Sequence, residues 1–555
     1  MLDEINQLLK EILQDGIRIE FSRDGFGDCC LNPGQINQIC KKQKIKVKRL
    51  IEIIKVELSK SGLAEKVEYK NGYINIYFSE SAYSEELQKI ENDIESYLVN
   101  SQNKDKTIVF DYSSPNIAKP FSVGHLRSTV IGQANLNIHK SVGFKTVGIN
   151  HIGDWGTQFG KLIYAIKSWG DESEIEKDPI PKLNELYVKF HEEAQKNPQI
   201  EDQARAWSKK LEDGDNEARE LWQKCVAWSF KEFDRIYKTL DVKIDEVVGE
   251  SFYKDKQEGV IDELREKKLL KKSEDAQIVE LENMPPALIK RSDDASLYMT
   301  RDLAALKYRI EKYKPAQIIY HVGNDQSLHF KQLGAVAKKL DWLDKTEIIF
   351  AGHGMMRLPE GKMSTRKGRI VLLDDLISKA KEKSLAIIEE KNSDLKNKKE
   401  VAEKIGISAI KYADLSSNRK SDIVFCLEKF INFQGNSGPY IQYSYARTQS
   451  LIRESKKKYP NLKIEKNFNP LFREVLQTIV RAKSVLDISS QNSSPNLIAE
   501  FAYQISNQFN AFYEKEKIIT DSETATAKNM YLVQLTQIVL GKLFDVLGIS
   551  KLEEI

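Results

Sequence analysis

Cysteine is scarce: five residues in 555 (Cys29, Cys30, Cys40, Cys225 and Cys426), with no Cys-x-x-Cys pair and no spacing that suits zinc. That excludes a disulfide scaffold and a cysteine-built metal site, so a reduced, cytoplasmic chain with no structural metal is expected. No apolar run approaches the roughly 20 residues that cross a bilayer. The opening Met1-Leu2-Asp3-Glu4 is acidic and leads into an amphipathic pattern (Ile5, Leu8, Leu9, Ile12, Leu13), which is unlike a signal peptide. An excess of one charge is also missing. With 85 Lys+Arg against 82 Asp+Glu the net charge is +3, so a polyanion would have to be met by local patches. Internal repeats and extended low-complexity tracts are absent.

What is present is a globular composition, 41% hydrophobic and 30% charged, over a length that calls for two to four domains. Residues 1–99 mix helical spacing with one alternating stretch, Tyr73 to Phe78, and read as a small α+β unit. From Thr107 the pattern changes. Short apolar runs at Ile108–Phe110, Val147–Ile149, Ile318–Tyr320 and Ile348–Phe350 alternate with helical periodicity. This predicts an α/β, Rossmann-like doubly wound parallel sheet over 107–400, with a charged helical insertion at about 165–285. Beyond about residue 400 the strands should stop. Apolar stripes such as Ile505/Phe509/Phe512 and Leu532/Leu535/Val539/Leu543 predict an all-α bundle over 401–555.

Two loops carry the chemistry. The first runs from Asp111 through Ser113, Asn116 and Lys119 to Ser122-Val123-Gly124-His125, where a helix should begin. A glycine at that point lets a nucleotide approach the backbone, and the helix opening offers unpaired N–H groups to phosphate. His125 could stabilise charge growing on a phosphate; an isolated Gly-His more often only caps a helix. The second loop, Lys362-Met363-Ser364-Thr365-Arg366-Lys367-Gly368, places three cations where a pyrophosphate leaving group could be held. A basic turn on its own would mean little.

With two further blocks, Asn150-His151-Ile152-Gly153-Asp154-Trp155-Gly156 and Leu297-Tyr298-Met299-Thr300-Arg301-Asp302, these loops resemble the arginyl-tRNA synthetase family of class I aminoacyl-tRNA synthetases. The resemblance runs over nearly the whole chain. It implies ATP with Mg²⁺, L-arginine and tRNA(Arg) as substrates, and arginyl-adenylate as the intermediate. It also implies that arginine is activated only once tRNA is bound. A monomer and no membrane partner are expected.

By this resemblance His125, Lys362, Arg366 and Lys367 are catalytic, and Lys119, Ser122, Gly124, His125, Met363 and Ser364 bind ATP. Tyr298 and Asp302, four apart on one helical face, would read the guanidinium; a pairing of Asp302 with Arg301 or Arg309 is the plainer alternative. Gln326, Asp111, Ser113 and Asn116 would complete the arginine site. A bidentate site of acid and phenol favours arginine over lysine. Two departures stand out: Ser122 replaces the family's usual first histidine, and Thr365 its usual second lysine. The His151–Asp154 stretch mimics the first loop but is expected to pack near the adenosine.

For tRNA, the resemblance points to Tyr73 and Asn75, on one face of the small strand, as readers of a D-loop nucleotide. The terminal bundle is similar to the family's anticodon-binding domain. Its Tyr443, Arg447 and Arg453 combine ring surfaces with cations, and residues 447–466 hold seven Lys/Arg against two Glu. Competing readings are a class I synthetase for another amino acid, a non-catalytic tRNA-binding relative, and a small-molecule nucleotidylyltransferase.

Overall fold

The computed structural model of the chain describes residues 1–13, 19–22, 27–273, 276–291, 298–357, 371–424, 426, 430–432, 434–466 and 472–555. The second loop, with Lys362, Met363, Ser364, Arg366 and Lys367, lies outside the described residues.

The N-terminal unit sets the helices Leu2–Leu13, Pro33–Gln43 and Val47–Lys60 with an antiparallel sheet of Glu20–Phe21, Cys29–Leu31, Tyr73–Phe78 and Ala64–Lys70. Alternation along Tyr73–Phe78 turns Ile74, Ile76 and Phe78 into the core, against Ile54, Leu58 and Leu87.

The central sheet is parallel, ordered Glu347–Phe350, Gln317–Tyr320, Thr107–Asp111, Lys145–Asn150, Glu246–Val247. All four expected runs are strands here. Ile108, Val109, Phe110, Ile318 and Ile319 are fully buried, as befits strands covered on both faces. The chain leaves the middle strand to one side first and later crosses to the other. Strand order therefore reverses beside Thr107–Asp111, opening a crevice past the carboxyl ends of that strand and Gln317–Tyr320.

The insertion is helical from Gln158–Trp169 to Asn216–Thr239 and again at Gln257–Glu266, with strands around the latter. Correcting the expectation for 165–285, Glu246–Val247 rejoins the sheet edge. Leu270–Ser273 and Ala276–Val279 then form an antiparallel ribbon with Ala287–Arg291. The first strand, Leu270-Lys271-Lys272-Ser273, is only four residues long and mostly polar, so it gives no alternating pattern to read.

The last third is a helical bundle, with one exception. Ile423–Val424 pairs in parallel with Met356–Arg357, so a two-residue ladder does occur beyond residue 400. Contrary to the sequence expectation, the helix Glu523–Leu547 is long and apolar enough to cross a membrane by length and composition. In the fold 72% of its apolar window is buried, including Leu532, Leu535, Val539 and Phe544, which is the setting of a bundle core helix.

The bundle grips the sheet through the helix Val123–Ser141, fifteen of whose residues are buried. Arg127 Nε meets Asp414 at 3.0 Å, and Arg127 Nη1 donates to the carbonyls of Gly354 (2.8 Å) and Ser421 (2.9 Å).

Candidate active site

Local backbone rules shape the first loop. Ser113, Ser114 and Ala118 have φ of 72°, 47° and 59°, a region that disfavours residues with a Cβ by roughly 1–2 kcal/mol each. Surrounding contacts hold them there. Ser113 N–H donates to Ser128 Oγ (3.0 Å), Ser114 N–H to Asn150 Oδ1 (3.0 Å), and Ala118 N–H to Ser229 Oγ (2.8 Å). Asn150 Nδ2 donates to Tyr237 Oη (2.9 Å), which also meets Ser113 Oγ at 2.8 Å. The helix Asn216–Thr239 of the insertion thus braces this loop. Asn116 bridges to Gly153, where a Cβ would collide with the Asn116 amide oxygen; that explains the glycine. Backbone strain so over-determined marks functional loops.

Ser122 caps the helix Val123–Ser141, its Oγ accepting from Gly124 N–H at 3.3 Å. In turn Ser122 N–H donates to His125 Nδ1 at 3.1 Å. Nδ1 is then an acceptor, which places the imidazole proton on Nε2 and leaves that N–H free to donate to an incoming group. Burial, aided by the Lys119 charge, pushes the His125 pKa down to about 4, so the ring is a neutral donor at neutral pH. Lys119 lies 5.8 Å over the Tyr187 ring.

The second loop's flanks converge on the first. Past it, Val371–Leu373 runs antiparallel to Phe121–Val123, with Val123 N–H on Val371 O and Leu373 N–H on Phe121 O, both 3.2 Å. Before it, Gly354 is held by Arg127 from the His125 helix. Both ends of that loop are therefore anchored beside the first.

The third block opens the helix Tyr298–Tyr313 at the same end of the sheet. Neither plainer pairing of Asp302 occurs. Arg301 takes Glu250 (2.7 Å) and Arg309 takes Asp111 (2.8 Å). Asp302 instead meets His329 Nε2 at 2.5 Å through Oδ2, with His151 Nε2 3.9 Å from Oδ1. His151 therefore sits beside this carboxylate, a more specific place than the adenosine-side packing expected for it. Tyr298 is 68% exposed, and its ring is stacked on Arg301 (4.7 Å). Gln326 ends the short turn Asn324–Gln326 with its side chain exposed.

Around Asp302 the carboxylates outnumber the cations. Asp154 is buried and accepts from Ser251 N–H (2.8 Å) and Ser251 Oγ (2.5 Å). Glu250 is pushed up to about 7, first by burial and further by the charges of Asp302 and Asp154, against the pull of Arg301. Four acids (Asp111, Asp154, Glu250, Asp302) stand against two guanidinium groups (Arg301, Arg309). An open, negative crevice with one exposed phenol suits a cationic ligand.

Two predicted residues are spent internally. Asp111 is buried on Arg309 and accepts from Ser114 Oγ (3.0 Å), and Ser113 Oγ is shared between Tyr237 and Thr129 (2.7 Å). Glu250, His329 and Tyr237 were not anticipated. His329 lies only three positions past Gln326, a proximity that could have flagged it; Glu250 and Tyr237 sit in stretches without pattern.

The candidate tRNA residues lie elsewhere. Asn75 is fully buried, its amide atoms without a hydrogen-bond partner among the described residues, beside the partly exposed Tyr73. Arg447 lies between the rings of Tyr443 (4.8 Å) and Tyr513 (4.1 Å), and Nη1 donates to Asn510 Oδ1 at 2.6 Å. Tyr443 is 41% and Tyr513 39% exposed. Arg453 is turned to the chain's end, donating to Glu553 O (3.0 Å). The basic run is partly neutralised, Lys458 by Asp521 (2.7 Å) and Lys466 by Glu91 (3.1 Å).

A parallel sheet with its loops arranged in this way defines a nucleotide-handling enzyme of the class I synthetase type, and comparison with known proteins narrows that class. The family described as tRNA synthetases class I (R), catalytic domain, matches residues 86–427, and the DALR anticodon binding domain matches 441–555. An arginine–tRNA ligase of Clostridioides difficile is 40% identical over 555 residues, covering 98% of this chain and 96% of that protein. One from Leuconostoc mesenteroides is 44% identical over 497 residues, 88% of each. Among solved structures, the arginyl-tRNA synthetase of Plasmodium falciparum superposes with a TM-score of 0.84 at 26% identity, covering 100% of this chain and 99% of that one. The Thermus thermophilus arginyl-tRNA synthetase, at 20% identity, shares the fold with a TM-score of 0.84 over 100% and 99% of the two chains. The chain belongs to the arginine–tRNA ligase family.

Proposed function

We infer that this chain joins L-arginine to tRNA(Arg). ATP activates the arginine carboxylate to arginyl-adenylate with release of diphosphate, and the arginyl group then passes to the 3′-terminal adenosine with release of AMP. Full-length likeness to arginine–tRNA ligases supports the reaction. The observation that carries the amino-acid assignment is the Asp302 carboxylate at the mouth of an acidic crevice beside an exposed Tyr298.

In this reading Asp302 and Tyr298 hold the guanidinium, a forked donor that one acid and one phenol can satisfy. Asn116 and Gln326 take the α-amino and carboxylate ends. Asp111 and Ser113, already engaged, keep the loop in shape. The Nε2–H of His125 donates to the α-phosphate region, and Gly124 leaves room for the nucleotide. Lys119, Lys362, Arg366 and Lys367 offset phosphate charge, and Met363 and Ser364 border the ATP. In-line attack needs positioning and charge compensation more than a protein nucleophile. Mg²⁺ enters with ATP as part of the substrate.

For the RNA, we assign residues 1–99 to the D-loop, with the partly exposed Tyr73 stacking and the fully buried Asn75 withdrawn from direct contact with the base. Residues 401–555 are assigned to the anticodon, with Tyr443, Arg447 and Tyr513 as the stacking surface. Arg453 is removed from that surface because it ties down the chain's end. A monomer working in the cytoplasm completes the proposal.

Arginine-dependent pyrophosphate exchange tests it, run with and without tRNA. Exchange that requires tRNA and is lost in Asp302→Ala is expected. Undiminished arginine exchange in Asp302→Ala would assign the pocket to another amino acid, and brisk exchange without tRNA would remove the tRNA requirement.

A further inference from the structure

We infer that His329 is a positioning residue for arginine recognition: it fixes the plane of the Asp302 carboxylate so that one oxygen is reserved for the guanidinium. This rests on the reading above that Asp302 receives that group.

The geometry is specific. His329 Nε2 lies 2.5 Å from Asp302 Oδ2, in direct hydrogen-bond contact with that oxygen. Among the described residues Oδ1 has no close partner, since His151 Nε2 stands 3.9 Å away, beyond hydrogen-bond reach. Both side chains are about three-quarters covered, at 27% and 28% exposure, so the pair borders the crevice rather than sitting in the core. The imidazole is itself held in place. Its neighbour Phe330 is anchored on Tyr320 (4.7 Å) and Phe350 (5.7 Å), and the His329 ring meets Phe330 edge-on at 5.3 Å. Other groups around the carboxylate are unsuited to this task. Arg301 is spent on Glu250 and Arg309 on Asp111.

The consequence follows from the shape of the ligand. A guanidinium donates along fixed directions, so its affinity depends on where the acceptor oxygen points. An unbraced carboxylate on the first turns of a helix samples several rotamers, and binding must then also order it. His329 does that ordering in advance, through Asp302 and without touching the substrate.

The test uses the full chain with tRNA, reading KM for L-arginine, KM for ATP and kcat in pyrophosphate exchange. Gln places an amide N–H at the position of imidazole Nε2, whereas Asn falls short of it. His329→Ala and His329→Asn should raise KM for arginine about tenfold or more, with KM for ATP and kcat within about twofold. His329→Gln should stay near the parent. Two outcomes overturn the inference: an arginine KM in His329→Ala within about twofold of the parent, or equal losses in Ala, Asn and Gln variants with lowered Tm, which would mark a purely structural role. Asp302→Asn is run in parallel. If it leaves arginine KM unchanged, the pocket reading itself fails. If it is damaging while His329→Ala is silent, only the role of His329 fails.

Discussion

Arg127 and Asp414, 287 positions apart, meet at 3.0 Å with each side chain 1% exposed. The pair joins the helix that begins with the His125 loop to the helix Lys398–Leu415, so the first loop and the helices that follow residue 398 are tied by a buried ion pair.

Removing one member of this pair strands the other. Arg127→Ala leaves Asp414 buried with its charge unmatched and removes the guanidinium donor from the carbonyl of Ser421, a loss of about 3–5 kcal/mol. Urea denaturation should show it. The double variant Arg127→Met/Asp414→Leu should recover more than half of the loss. A loss below about 1 kcal/mol in the single variant would show the pair to be dispensable.

Gly153→Ala should cripple the site with little global effect. The new methyl would meet the Asn116 amide oxygen and push the Ser113–Ala118 loop out of its left-handed turns. Arginine KM should rise and kcat should fall, together by about ten- to a hundredfold in kcat/KM. Asn116→Gly combined with Gly153→Ala should restore the fold of the loop but not arginine affinity, which separates packing from contact.

The stacking surface of the bundle predicts a tRNA-only defect. Tyr513→Ala or Arg447→Ala should weaken tRNA binding by about 1–3 kcal/mol, read as KM for tRNA in charging, while KM for ATP is unchanged. Arg453→Ala should have the smaller effect, since its exposed guanidinium is already tied to Glu553 O and Ser450 Oγ.

Histidine burial sets the acid side of stability. His139 is buried, and desolvation lowers its pKa from 6.5 to about 4, against the bond its Nδ1 makes with Asn135 O. As pH falls below about 6.5, the unfolded chain takes up a proton that the folded chain refuses, so this stability is present above that pH and lost toward about pH 4. His125 acts in the same direction. Tm should fall over that window, and His139→Phe, packed between Phe110 and Phe144, should flatten the decline. No limb of the kcat/KM profile between about pH 6 and 8 should belong to His125.

Much of this was legible in the residues. Buried apolar runs such as Ile318–Tyr320 announce parallel strands because both faces are covered, and the helix starting at the Gly124-His125 loop is legible from that motif. Four-residue strands such as Leu270–Ser273, mostly polar and without alternation, left no such trace, and the two-residue ladder of Met356 and Ile423 is fixed by tertiary contact alone. In the site, Tyr298 and Asp302 could be placed on one face by spacing. Asp111 could not be assigned that way, because its partner Arg309 is nearly 200 positions distant and only folding shows that its charge is spent. Glu250 likewise reaches Arg301 across 51 positions. The apolar stripe of the final helix pointed to a bundle core, and the fold buries it there, although length and composition alone would also suit a membrane span.

The most direct measurement is a charging assay with labelled L-arginine, ATP, Mg²⁺ and total tRNA, set beside the other standard amino acids. Arginine alone should become attached, on tRNA(Arg), with one AMP formed per arginyl group. Charging by a different amino acid, or tight tRNA binding with no charged product, would contradict it.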